Sequence, residues 1–357
     1  MKWERNIMGF VPQTDWLDVG FNVTRQNDPV DTLFGDVRTD NIEAAWQTIA
    51  AEYQIPMMAQ FHAFDTITRK TFRIPVDTHN IEKGLIKVKI NQSERMRALT
   101  RSGVREDAMY NYVIQDGARL AEQVFTRSKV AKNELLASGI VTINENNLSL
   151  TVDYGVTAAQ TAFTLDLSES ADIPGQIQTI IDTALASGKV ITGMVTAKKN
   201  LTKMRRNTIV QIEINGSASS GALVRDTALR AYLEEEFGIN TIITNDLTYG
   251  ADATIGADGR PVIQTERYFP DDKVTFFCGN PAGRLGTGLW GDPPEVDLAR
   301  FMDVQGTEYP YVYVSQYIEN DPAELWTKAS GLFMPVLYDP YSLWIATVQA
   351  ESSSTNG

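Results

Sequence analysis

The sequence has a single cysteine and only two histidines in 357 residues. One thiol excludes an internal disulfide framework and fits a reducing compartment. Cys278 closes the apolar run VTFFC, where a thiol serves as core filler rather than as a nucleophile. His62 and His79 lie in one polar, basic stretch with no further ligands clustered at helical or turn spacing, so no metal site is expected. There is no G-x-S-x-G elbow, no H-E-x-x-H pair and no G-x-x-x-x-G-K-[ST] loop. Catalytic, metal-binding and cofactor-binding residues are therefore all expected to be absent. Long apolar runs are lacking too. The most apolar stretch, residues 331–350, is broken by Pro335, Asp339 and Pro340 and reads as two strands joined by a DPYS turn. The opening MKWERNIMGF has no apolar centre of the kind a secretory signal needs.

Hydrophobic content of 43% is that of a folded chain, long enough for two or three compact units. The net charge of −13 argues against a general nucleic-acid or anionic-membrane binder. That charge is unevenly spread. Residues 61–105 hold ten basic residues against four acidic, a net +6, which leaves −19 for the remainder. Inside this stretch AFDTITRKTFRIPV and GLIKVKI alternate like strands and predict a long cationic hairpin that reaches for an acidic surface, such as another copy of the chain. Arg69, Lys70, Arg73, Lys87 and Lys89 are its candidate contact residues. The acidic runs, Asp271-Asp272 and Glu234 to Glu236, read as a turn and a solvated helix face.

The run GTGLWG fits G-x-G-x-x-G, a pattern that can cradle a dinucleotide pyrophosphate. Seven residues separate it from the strand before it, so the tight strand-to-loop turn is missing. A helix opening at Asp292, with Pro293 in its first turn, already carries Asp292, Glu295 and Asp297, which would repel a phosphate. A nucleotide-binding α/β enzyme on the Gly286–Gly291 loop, with Glu308 as ribose acid, is the weaker alternative. The main expectation is a long turn whose glycines permit positive φ.

Along the chain, the opening reads as an extended arm rather than core, followed by a short helix over TDNIEAAWQTIAAEY. The strongest signal is a proline-free helix over residues 105–138, about 50 Å long at 1.5 Å per residue. Its apolar stripe is narrow, and Gly117 in its middle hints at a close backbone contact. A hairpin turning at NENN follows. Residues 170–300 alternate helices and strands: DIPGQIQTIIDTALASG and SGALVRDTALRAYLEEEFG as helices, VITGMVTA, TIVQIEI, INTIITND, PVIQTERYF and KVTFFCG as strands. Strands return after residue 305, interrupted by a short helix at DPAELWTKA. An arm and a hairpin with little core of their own are parts that find burial on other copies.

This layout resembles the major capsid proteins of tailed bacteriophages, in particular the lambda E-type family. The resemblance is carried by KINQSERMRALTRSGVREDAMYNYVIQDGARLAEQV, by YFPDDKVTFFCGNPAGRLGTGLWG and by NDPAELWTKASGLFMPVLYDPYSLWIATV. It implies an α+β capsid fold: an N-terminal arm at 1–56, an extended E-loop at 57–100, a P-domain with its long spine helix at 101–168 and 305–350, an A-domain at 169–304 and a disordered tail at 351–357. It further implies hexamers and pentamers closing an icosahedral shell around double-stranded DNA, without sequence-specific binding and without a membrane. Scaffold, portal and decoration proteins are the implied partners, with assembly in the host cytoplasm. GTGLWG would be a loop near the return from the A-domain. An encapsulin-like cargo shell is a second alternative.

Overall fold

A computed structural model of the chain describes residues 27–55, 58–59, 73–92, 106–216, 224–255, 261–279, 283–298, 305–309, 311–320 and 323–349. Four strands, β1 (Phe34–Arg38), β2 (Glu43–Thr48), β3 (Asp77–Glu82) and β4 (Gly84–Gln92), precede the long helix α1 (Glu106–Ser138). Then come β5 (Ile140–Glu145), β6 (Leu148–Asp153) and β7 (Phe163–Leu165). A helical stretch follows, with α2 (Ile173–Ala186), β8 (Gly193–Thr196), α3 (Lys198–Arg206), α4 (Thr208–Asn215), α5 (Asp226–Phe237) and β9 (Thr241–Thr244). The rest is mainly strand: β10 (Thr248–Ile255), β11 (Pro261–Arg267), β12 (Lys273–Phe277), β13 (Gly286–Gly291), β14 (Gln305–Tyr309), β15 (Val312–Asn320), β16 (Ala323–Leu337) and β17 (Leu343–Val348).

Where local signals are strong, the elements form as expected. Buried α1 positions Leu120, Val124, Ser128, Ala131 and Leu135 recur at three- and four-residue steps. The helix stops at Gly139, whose φ of 74° puts any added Cβ 2.7 Å from Val156. The NENN turn uses Asn146 and Asn147, both at positive φ, as a two-residue hairpin requires. In α2 the Asp172 carboxylate accepts from the Gly175 amide at 2.9 Å, with a proline in the first turn.

Three expectations fail because non-local pairing or capping wins. TDNIEAAWQTIAAEY is strand β2 followed by one helical turn at Ala51–Gln54. Its burial alternates, with Ala44, Trp46 and Thr48 inward, because β2 pairs along its length with β3. Trp46 then stacks between His79, at 5.3 Å, and Tyr154, at 5.5 Å. TIVQIEI is helix α4: the Asn207 side chain accepts from the Ile209 and Val210 amides, and Gly216 closes the helix at φ 72°. Of DPAELWTKA, residues 323–329 open β16, held in register by β15 on one edge and β4 on the other, and residues 321–322 lie outside the described ones. The cationic hairpin also differs. GLIKVKI is β4, but its partner is β16; residues 73–76 are not strand, and residues 63–72 lie outside the described ones.

The larger sheet runs β1-β13-β16-β15-β14, with β4 also on β16. Residues 332 and 333 pair with β13 and β4 at once, and residues 325–330 with β15 and β4. β13 and β15 therefore lie end to end along one edge of β16 while β4 covers the other. The second sheet runs β7-β17-β12-β8-β9. It separates two cores by strict alternation. Val274, Phe276, Trp344 and Ala346 face the helices α2 to α5, whereas Phe277 and Leu343 face the α1 side, where the Thr275 hydroxyl donates to the Leu136 carbonyl. Residues 28–48 are core-forming rather than arm-like. Val30, Leu33, Phe34, Ala44 and Trp46 are buried with α1 and the larger sheet.

Candidate assembly surfaces

GTGLWG is not a loop. It is β13, paired in parallel with β1 and antiparallel with β16. Its amides are therefore committed to the ladder, and no anion cradle forms. None of its glycines has positive φ; they are there for close approach. A Cβ on Gly286 would lie 2.0 Å from the Val336 carbonyl oxygen, and one on Gly288 would lie 2.5 Å from Asp36 and 3.0 Å from Lys132. Of the helix expected after Asp292, the described residues show one turn, Glu295–Leu298.

The space those glycines leave is filled by buried charge. Lys132 of α1 is 1% exposed; its Nζ donates to Asp31 at 2.7 Å and to Asp36 at 2.9 Å. Beside it, buried Asp28 accepts from Asn133 at 2.7 Å and from Asn245 at 3.0 Å, while burial pushes its carboxyl above the usual range. Lys83 is buried next to Gly291, donating to the carbonyls of Asn41 at 2.5 Å and Trp290 at 3.2 Å. Burial lowers its ammonium pKa, against the pull of Asp292 and Asp40. These groups staple residues 28–41 to α1 and β13.

Of the predicted contact residues, Arg69 and Lys70 lie outside the described residues, and Arg73 is exposed. Lys87 pairs with Glu295 of its own chain at 2.8 Å. The Lys89 ammonium sits 3.9 Å over the Trp326 ring. Gly117 is buried within its own chain. Glu295 is held by Lys328 as well as Lys87. Burial would raise its pKa, but hydrogen bonds from the two lysines outweigh that and hold the carboxyl at about 2. This clamp ties the turn after β13 to both β4 and β16.

A different polarity marks the helical side. α3 carries Lys198, Lys199, Lys203, Arg205 and Arg206 within nine residues while burying Leu201 and Met204. In the same body, α2, α4 and α5 line an open groove of about 720 Å³. Ile214, Tyr232 and Phe237 line it, with Glu213, Glu235 and Glu236 among them. The Tyr232 hydroxyl donates to Glu213, and burial together with that carboxylate pushes the phenol upward.

These are packing and charge features rather than a reaction centre. Among the described residues no cluster of His, Cys, Asp or Glu could hold a metal ion, and no helix is long and apolar enough to cross a membrane. Residues 65–348 match the family description "Phage major capsid protein E". The chain belongs to that family. It is a structural capsid protein of a phage virion and not an enzyme, and neither the nucleotide-enzyme nor the cargo-shell alternative gains support. Among curated proteins none matches it. Among solved structures, a prophage protein of E. coli CFT073 described as its capsid protein aligns at TM-score 0.54 and 11% identity, over 96% of this chain and 100% of that one. The capsid of cyanophage A-1(L) aligns at TM-score 0.51 and 9% identity, over 90% and 92%. At these identities the likeness is one of fold, and it is the tailed-phage capsid fold.

Sequence reasoning did not find the roles of Lys83, Lys132 and Glu295 in this capsid protein. Lys132 had a readable signal: it lies four residues from both Ser128 and Leu136, on the buried stripe of α1. Glu295 had none, since its lysines come from β4 and β16.

Proposed function

We propose that copies of this chain join as hexamers and pentamers and close an icosahedral shell around double-stranded DNA, assembling in the host cytoplasm with scaffold, portal and decoration proteins as partners. The observation that supports this most is the family match over residues 65–348. In this reading the core beneath α1 is the P-domain and the helical body of α2 to α5 is the A-domain. Sheet membership favours counting β1 and β13 with the former and β17 with the latter. The acidic body suits a container that holds DNA without adhering to it.

Residues 57–100 form the E-loop in this reading, with Arg69, Lys70 and Arg73 meeting acidic groups on a neighbouring copy. Lys87 and Lys89, engaged within the chain, brace its stem. Each exposed pair contributes roughly 0–1 kcal/mol, so repetition over the lattice sets register while apolar burial supplies affinity. Reversing Arg69, Lys70 and Arg73 together to Glu is expected to stop shell formation, seen by negative-stain microscopy, with an unchanged thermal unfolding transition. Normal shells from that variant would refute the electrostatic role, and a wild-type chain that stays monomeric under every assembly condition would refute the shell.

A further inference from the structure

We infer that the acidic groove between α2, α4 and α5 receives the basic face of α3 from the next copy, a head-to-tail contact that repeats around a ring; this rests on the shell reading above. The groove offers two kinds of surface. Ile214, Tyr232 and Phe237 make it apolar, and Glu213, Glu235 and Glu236 make it anionic, with no cation among its lining residues. Its natural guest is a long side chain with an apolar stem and a positive tip, because Lys and Arg lay their methylenes on apolar surface and keep the charge at the edge.

The chain carries one described helix of that kind. α3 has five cations and no acid in nine residues. Its apolar residues, Leu201 and Met204, are spent on its own core, so the cationic face is the one left to meet a partner. Within the chain, Lys199 is tied to Asp271 and Arg205 to the Val224 carbonyl. Lys198 and Arg206 are exposed and make no side-chain hydrogen bond or ion pair among the described residues, so they lead the contact. Lengths agree as well. α3 is about 13 Å long, and the groove follows α5 from Ala228 to Phe237, also about 13 Å. The two surfaces lie on different helices of one body, so the contact is heterologous, and such a contact closes a ring when the rotation between copies permits.

The test uses the full chain and reads the assembled fraction by sedimentation, with thermal unfolding as the check on fold. Glu235→Lys with Glu236→Lys is expected to lower the assembled fraction at least tenfold, and Lys198→Glu with Arg206→Glu to do the same. Combining all four substitutions restores the sign pairing and is expected to recover most of the assembly. Either double variant assembling like wild type, or a combination no better than its parts, would overturn the assignment while wild-type shells keep the shell reading intact. Failure of the acidic-side variant alone would mean that the groove takes another protein, and would overturn it equally. Where a reversal unfolds the chain, Lys198→Cys with Ala231→Cys in a Cys278→Ser background gives the second readout. An interchain disulfide ladder in assembled particles is expected; bonds within one chain, or none, would reject the contact.

Discussion

The two cores of this capsid protein are built on different principles. The helical body of α2 to α5 is filled by aliphatic and aromatic side chains such as Ile177, Leu201, Leu229, Leu233 and Phe276, contributed mostly by residues 165–239. Its helices carry their own caps, Asp172 and Asn207 at the starts, Gly216 and Gly238 at the ends. The core under α1 instead draws on residues 30 to 343 and contains buried Lys83, Lys132, Asp28 and Asn133. Apolar packing is non-directional and tolerates repacking. Buried charges hold only when every partner is present. The α1 side therefore records which distant segments have arrived, and the helical body does not need to.

The largest test of that contrast is Lys132→Ala. It leaves Asp31 and Asp36 facing each other across a cavity and is expected to cost about 3–5 kcal/mol. Denaturant titration should report it, with hydrogen exchange accelerating in α1 and β1 before α2 to α5. A variant that also carries Asp31→Asn and Asp36→Asn should recover part of the loss. If the loss appears equally in both cores, they do not differ in the way described. Next is Gly288→Ala. The new methyl meets Asp36, Phe333 and Lys132, so a loss of about 1–3 kcal/mol is expected from overpacking. Replacing the helix-closing Gly216, where nothing lies within 4 Å, adds only φ strain, about 1 kcal/mol. Equal losses at the two glycines would remove the distinction between space and backbone freedom.

The pH-dependent test belongs to the Glu295 clamp. Its folded pKa, about 2, lies below the unfolded carboxylate value of about 4.3, so its contribution is complete above that value and is lost as pH falls toward 2. Partial exposure of Lys87 reduces the gain to on the order of 1–2 kcal/mol. Glu295→Gln should flatten stability against pH between about 4.3 and 2. An unchanged acid profile would show that the two lysines do not hold the carboxylate in solution.

How far the sequence could be read follows the same divide. The spine helix, the NENN hairpin and the capped helices α2 and α5 were legible because their signals, period, caps and turn residues, are all local. TDNIEAAWQTIAAEY and DPAELWTKA were misread because each carries an acceptable helical spacing that long-range strand pairing overrides. TIVQIEI went the other way: its β-branched residues suggest a strand, and the caps at Asn207 and Gly216 decide for helix. GTGLWG was misread because glycine serves closeness as often as curvature, and only the neighbours Lys132, Phe34 and Lys83 show which. Of the contact residues, Lys87 and Lys89 could be seen as cations, but Glu295 and Trp326 could not be seen as their partners.

The parallel pairing of β1 with β13 has a consequence for biosynthesis. Residues 34–38 emerge from the ribosome early, yet the strand they pair with is made some 250 residues later, and β7 likewise waits for β17. Neither sheet can be finished until β16 and β17 have been made, which makes folding slow by topology. A product terminated before β16 would lack a strand in both sheets at once, and so would be barred from the particle by its own incompleteness rather than by a separate inspector.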